Sequence, residues 1–227
     1  DKAGEWCLGD WCAPEGVILP LPFVNTYFFI KYLNRAVKIA QIIGKDEESE
    51  FYSKRAATTF EHFKAIYYDI YNRTYFNNIH GANAFAIDVG HDDERTTNAL
   101  ADYYKRQGYL DTGIFGTRYL FEVLCDNGHK DLAYKIINQR DFPSFGYWIE
   151  QGATVTWENW NGADSHNHPM FGGGIGWFYR DLAGLRLVEA GFRSFDVRPV
   201  IPAGLEWVNY THDTTYGPIS ISWSCKN

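Results

Sequence analysis

Glu158, Asp164 and His168 share one stretch that also carries Trp157 and Trp160, with Trp148 just before it. Gly152 and Gly162 let this stretch bend, and Gly172-Gly-Gly174 follows it. Flanking Trp rings strip water from a carboxylate, and a carboxylate short of water is a stronger proton acceptor. Placed beside a reacting water, such a group acts as a general base. The competing reading is a structural carboxylate bonded to a helix N-terminus. Spacing alone leaves both open.

A second set opens the chain. Glu5, Asp10 and Glu15 stand among Trp6 and Trp11 in a Gly-rich run. Acceptors beside aromatic rings suit sugars, whose hydroxyls need partners and whose C–H faces stack on rings. The alternative is a loosely ordered terminus. Asp88, Asp111 and Thr112 fall at helix ends and read as caps, as does the Asp92-Asp-Glu-Arg95 run. His166 and His168 are spaced to share a metal, but further ligands are not evident, so neither metal nor cofactor is expected.

The elements that must position these groups are mainly helical. Phe23, Tyr27, Ile30, Leu33, Val37, Ala40 and Ile43 recur at helical spacing and predict a helix over 23–43, stopped by Gly44. Asp46 is expected to cap a second helix reaching about residue 71. Further helices are predicted over 82–89, from Asp92 or Asp93 to Gly108, around Tyr119–Leu124, and over about 130–138. A short turn follows at 143–149, a loop at 151–167, and a last helix at about 169–190 ending at Gly191. The period then changes. Phe195-Asp-Val-Arg-Pro, Leu205-Glu-Trp-Val-Asn-Tyr and Ile219-Ser-Ile-Ser-Trp alternate as strands do. Hairpins of unlike sequence at a spacing of roughly 40 residues favour a closed α/α toroid over a repeat solenoid. The expected fold is mainly α: part of an (α/α)6 toroid over 1–191, then a small antiparallel β appendage over 192–227.

Composition bounds the partners. Apolar residues at 45% support a packed core. Rings at 18% exceed the needs of an ordinary core, although helix packing consumes most of them. The net charge of −7 without a basic patch argues against a nucleic-acid partner. The lack of a long apolar run argues against a membrane span. The chain opens without an initiator Met, a basic start or an apolar stretch, so it is expected to begin inside a longer or processed protein. Cys7 and Cys12 are close enough to pair, and free buried thiols are the alternative. Asn72-Arg-Thr and Asn209-Tyr-Thr fit a glycosylation triplet that also arises by chance. The compartment is not fixed by these features; a secreted or periplasmic one is favoured.

Several motifs, in order along nearly the whole chain, resemble glycoside hydrolase family 78, the α-L-rhamnosidases. They are Gly9-Asp-Trp11, Asp111-Thr-Gly-Ile-Phe-Gly-Thr117, Leu124-Cys-Asp-Asn-Gly-His-Lys-Asp-Leu-Ala-Tyr134 and Pro143-Ser-Phe-Gly-Tyr147. Gly152-Ala-Thr-Val-Thr-Trp-Glu-Asn-Trp160, Ser165-His-Asn-His168 and Trp177-Phe-Tyr-Arg-Asp-Leu-Ala-Gly184 continue the series. The resemblance implies an (α/α)6 barrel that removes terminal α-L-rhamnose with inversion. It places the general base on Glu158 and a sugar-binding histidine on His168. Trp11 becomes a stacking candidate, with Asp10, Trp6 and Trp160 as further substrate contacts. The family's general acid sits in an Asp-x-x-x-Arg-x-Glu-x-x-x-Trp-x-x-Asp motif, which this chain lacks. The resemblance therefore implies two partners: a rhamnose-containing glycoside, and an upstream remainder of the barrel bearing the acid. Two other readings stand beside it: a non-catalytic carbohydrate-binding or assembly module that keeps the aromatic site, and a helical scaffold that binds protein, which predicts a groove lined with apolar residues rather than Glu158, His168 and Trp rings converging on one pocket. A lyase or another hydrolase on the same toroid remains a further possibility, because fold does not fix chemistry.

Overall fold

The computed structural model describes residues 7–76 and 79–225. Eight α-helices lie among them: α1 (Leu21–Ile42), α2 (Asp46–Tyr67), α3 (Ala82–Asp88), α4 (Glu94–Gln107), α5 (Ile114–Asp126), α6 (Lys130–Ile137), α7 (Phe145–Glu150) and α8 (Gly172–Trp177). A 3-10 turn leads into α8 and a π turn, Phe178–Leu182, leads out of it. Four short strands follow: β1 (Leu185–Leu187), β2 (Phe195–Val197), β3 (Trp207–Thr214) and β4 (Gly217–Ser224). No helix among the described residues is long and apolar enough to cross a membrane.

The helices form two layers. Helices α1, α3, α5 and α8 pack side by side, and α2, α4 and α6 cover them from outside. The sequence explains the sorting. Helix α5 buries eight of its residues, whereas α2 buries only Ser49, Ala56 and Phe63 and leaves most of the rest exposed. Phe23 sits at the centre of one ring cluster, with Phe63 at 4.8 Å, Tyr67 at 5.3 Å and Phe85 at 6.0 Å. Each such ring removed from water contributes about 1.5–3 kcal/mol.

Several sequence expectations shift by a turn or change role. Helix α1 starts two residues earlier, because Pro22 lies in the first turn, where a missing N–H leaves no bond unmade. Asp46 does not cap α2; it joins Glu47 and Glu48 inside the first turn, where acids offset the helix dipole. Helix α2 stops at Tyr67, where Asp69 Oδ1 accepts from the amides of Tyr71 and Asn72 and holds the chain in a turn. Asp93 does cap α4, accepting from the Arg95 amide. The expected last helix does not reach residue 190. Gly184 takes φ +85°, and a Cβ there would stand 2.3 Å from the Pro199 nitrogen, so the chain turns sharply and passes close to the returning strand. Residues 185–187 then pair antiparallel with 195–197 as β1 and β2.

The β appendage is tied down rather than dangling. Strands β3 and β4 form a two-residue hairpin, Thr214 facing Gly217. Such a hairpin is marginal alone, and Trp223 anchors it by donating Nε1–H to the Leu182 carbonyl at 3.0 Å. Beneath it, Arg186 meets the fully buried Asp181 carboxylate at 2.6 Å and Arg180 meets it at 3.1 Å. Both arginines also reach Asp126 on α5, which joins the appendage to the inner layer.

One buried histidine gives the fold a pH signature. His91 is 3% exposed, with Nδ1 2.9 Å from the Tyr75 hydroxyl and Nε2 3.1 Å from Thr96 Oγ1. Burial, helped by Lys64, holds its pKa below the ordinary value, while Asp93 and Asp92 pull the other way. The folded state therefore favours the neutral ring. Its contribution is complete above the unfolded pKa of about 6.5 and is lost as pH falls below that value. His91→Asn is expected to melt lower than the parent at pH 7, with a deficit that shrinks as pH falls to 5, so that the two differ in slope across that window. An unchanged slope in the variant contradicts this role.

Candidate functional site

The four inner helices begin at one end of the molecule, and the segments entering them converge there. Most of their contacts are side chain to backbone. Asp10, from the segment before α1, accepts from Gly113 at 2.8 Å and from Phe115 and Gly116 at 3.0 Å each. Asp111, before α5, accepts from the Gly81 amide before α3 and from the Tyr104 hydroxyl. Trp160, from the long loop before α8, donates Nε1–H to the Thr112 carbonyl at 2.9 Å. These three side chains tie four loops into one platform at the positive ends of the inner helices. Gly113 is required by this closeness: a Cβ there would lie 2.3 Å from the Trp11 carbonyl oxygen.

Glu158 and His168 stand on that platform. The 156–168 loop doubles back like a narrow ladder. Thr156 O accepts from the His168 amide at 2.8 Å, and Thr156 Oγ1 donates to the His168 carbonyl at 2.6 Å. The Glu158 amide donates to Ser165 O at 2.8 Å, and the Ser165 amide approaches Glu158 Oε2 at 3.4 Å. The ladder brings His168 Nε2 to 4.0 Å from Glu158 Oε2, with the side chains 26% and 22% exposed. Two groups ten residues apart in sequence thus face solvent together. Thr156 was not singled out by the sequence; its alternation with Glu158 was the available signal.

Trp11 is 37% exposed, and its carbonyl is pinned by the Ile114 amide at 2.9 Å. The next residue, Cys12, neighbours the loop electrostatically. Burial pushes its thiol up to about 12, and Glu158, Asp164 and Asp10 add to the rise. Ala13, Pro14 and Glu15 share a small cleft with Asn159, Trp160 and Asn161. The segment around Trp11 and the loop of Glu158 therefore meet side by side.

Two residues expected as sugar contacts are engaged inside the fold. Trp160 is 2% exposed, stacked on Trp148 at 4.6 Å and covered by Phe171 at 4.3 Å. Its faces are consumed by the wall behind the loop. Asp10 spends both carboxylate oxygens on three amides of α5 and its entry; burial raises its pKa to about 6 against the pull of those amides. Trp6 lies outside the described residues. Asp88 and Asp111 are not caps either: Asp88 pairs with Lys31 at 2.6 Å, and Asp111 braces α3 and α4. Thr112 bonds the Thr117 hydroxyl. Cys7 and Cys12 are unpaired thiols, and Cys7 Sγ donates to Asn25. His166 stacks on Trp157 at 4.1 Å within the loop. An apolar groove of about 470 Å³ runs between α7 and α8, but it contains none of Glu158, His168 and Trp11.

Comparison with known proteins agrees with the fold. The family described as bacterial alpha-L-rhamnosidase 6 hairpin glycosidase domain matches residues 1–182, and the bacterial alpha-L-rhamnosidase C-terminal domain matches residues 184–227. An alpha-L-rhamnosidase of Formosa agariphila is 29% identical over 222 residues, covering 90% of this chain and 24% of that protein. The alpha-L-rhamnosidase structure from Dictyoglumus thermophilum superimposes with TM-score 0.87 at 32% identity, over 97% of this chain and 27% of the other. The Streptomyces avermitilis alpha-L-rhamnosidase complexed with L-rhamnose gives TM-score 0.87 at 26% identity, over 96% and 22%. The chain spans about a quarter of the length of these relatives. With two successive domain families matched end to end on a partial toroid, the chain belongs to the bacterial α-L-rhamnosidase family.

Proposed function

We propose that this chain supplies the general-base half of an inverting glycoside hydrolase that removes terminal α-L-rhamnose. One observation carries the reading: Glu158 and His168 are held 4.0 Å apart on a braced loop, and that loop meets the segment that follows the exposed Trp11. Glu158 takes the proton from the attacking water, His168 binds a hydroxyl, and Trp11 stacks on the sugar. Asp10 and Trp160 position the loops that carry them. Family membership and the likeness to a relative complexed with L-rhamnose support this substrate.

Inversion needs a second carboxyl group about 6.5–9.5 Å from the base, protonating the leaving oxygen from the other side of the sugar. The motif that carries the family's acid is absent from this sequence. We place the acid on the rest of the six-hairpin barrel, supplied as a partner or an upstream segment. The 227-residue chain alone is then expected to hydrolyse an aryl α-L-rhamnoside no faster than a buffer control. Joined to the rest of the barrel, it is expected to release β-L-rhamnose first, as read by NMR of the fresh product. Enzyme-like turnover by the chain alone, or first release of the α-anomer, overturns the proposal.

A further inference from the structure

The gap between Glu158 and His168 has a definite size. At 4.0 Å, Nε2 and Oε2 are too far apart for a direct hydrogen bond, which ends near 3.2 Å. An oxygen placed about 2.7 Å from each subtends an angle of roughly 95°. That angle fits one hydroxyl oxygen accepting on one side and donating on the other, and it is too narrow for a larger bridging group. Polar contacts beyond 3.5 Å are commonly bridged in this way.

The other ring nitrogen fixes which side donates. Among the described residues, His168 Nδ1 is buried with no hydrogen-bond partner. With the proton on Nδ1, the fold would bury an orphan donor, and Nε2 would turn a lone pair toward a carboxylate. With the proton on Nε2, Nδ1 is only an unused acceptor, and a donor faces Glu158. Buried orphan donors are the rarer and costlier fault. A doubly protonated ring would again orphan the Nδ1 proton.

We propose that His168 is held as its Nε2–H tautomer and, with Glu158, forms a seat for a single hydroxyl oxygen. The bond runs from His168 Nε2–H to the oxygen, and the oxygen's own proton points at Glu158 Oε2. Thr156 fixes the seat by bonding His168 through both backbone and hydroxyl. Water and a sugar hydroxyl share this chemistry. If the occupant is the attacking water, its O–H bond breaks toward Glu158 as its oxygen bonds the anomeric carbon and the glycosidic bond opens. The use of the seat rests on the reading of Glu158 as the base; the tautomer does not.

The test is a long-range proton–nitrogen NMR spectrum of the isotope-labelled 227-residue chain at pH 8, with the His168 ring assigned through its own backbone. The expected pattern has the proton on Nε2. A proton on Nδ1, or on both nitrogens, overturns the proposal. L-rhamnose is then added, following His168 and the Trp11 indole together. If both shift, a sugar hydroxyl takes the seat; if Trp11 alone shifts, water keeps it. If neither shifts, the chain by itself does not bind this sugar, which counts against the proposed function, while the tautomer still decides the seat.

Discussion

Glu158→Gln, made in a polypeptide that completes the barrel, is expected to lower turnover on an aryl α-L-rhamnoside by about 10³-fold, within the range for removing a general base. The shape of the side chain is kept, and the amide still fills the space 4.0 Å from His168. Binding of L-rhamnose, measured by calorimetry, is therefore expected to change less than about threefold, under 1 kcal/mol. The split matters more than the size: a loss in turnover with binding kept places Glu158 in the transition state. Unchanged turnover removes it from the chemistry. An equal loss in binding reassigns it as a sugar ligand.

Asp10→Ala carries the second large effect, and it acts on the scaffold. The carboxylate accepts from Gly113, Phe115 and Gly116, across 103 to 106 residues of sequence. Removing it orphans three amides at the start of α5 and frees the segment holding Trp11. The expected cost is about 3 kcal/mol, from losing the anchor of a buried charge-assisted cluster. For a chain of this size that is a fall of roughly 6–12 °C in melting temperature. Asp10→Asn keeps an acceptor and is expected to lose less than half as much. Loss of activity by Asp10→Ala at full thermal stability contradicts the scaffold role and returns Asp10 to the sugar.

The two predictions mark what the sequence makes visible. Glu158 and His168 are legible because one loop carries both, between glycines and among tryptophans. Their alignment needs only local pairs, Thr156 with His168 and Glu158 with Ser165. Most helices are legible for the same reason, since an apolar period and a following glycine are local signals. The role of Asp10 is not local, because its partners are a hundred residues away. Asp111 and Asp88 look like caps beside helix ends, yet Gly81 and Lys31 claim them from other elements. Trp160 looks like a sugar platform, and only packing shows that Trp148 and Phe171 occupy its faces. The last helix is overread for a related reason. The apolar period runs on past Leu182, but the close approach of Pro199 to Gly184 turns the chain into a strand.

The claim that Glu158 is a general base in an inverting reaction is tested most directly by rescue with azide. Glu158→Gly, in the completed barrel, removes the base and opens room beside His168. Azide needs no proton removed, so it replaces both the water and the base. With an aryl α-L-rhamnoside carrying a good leaving group, azide is expected to restore turnover and yield β-L-rhamnosyl azide. Formation of the α-azide, or turnover that the substitution leaves intact, contradicts the account.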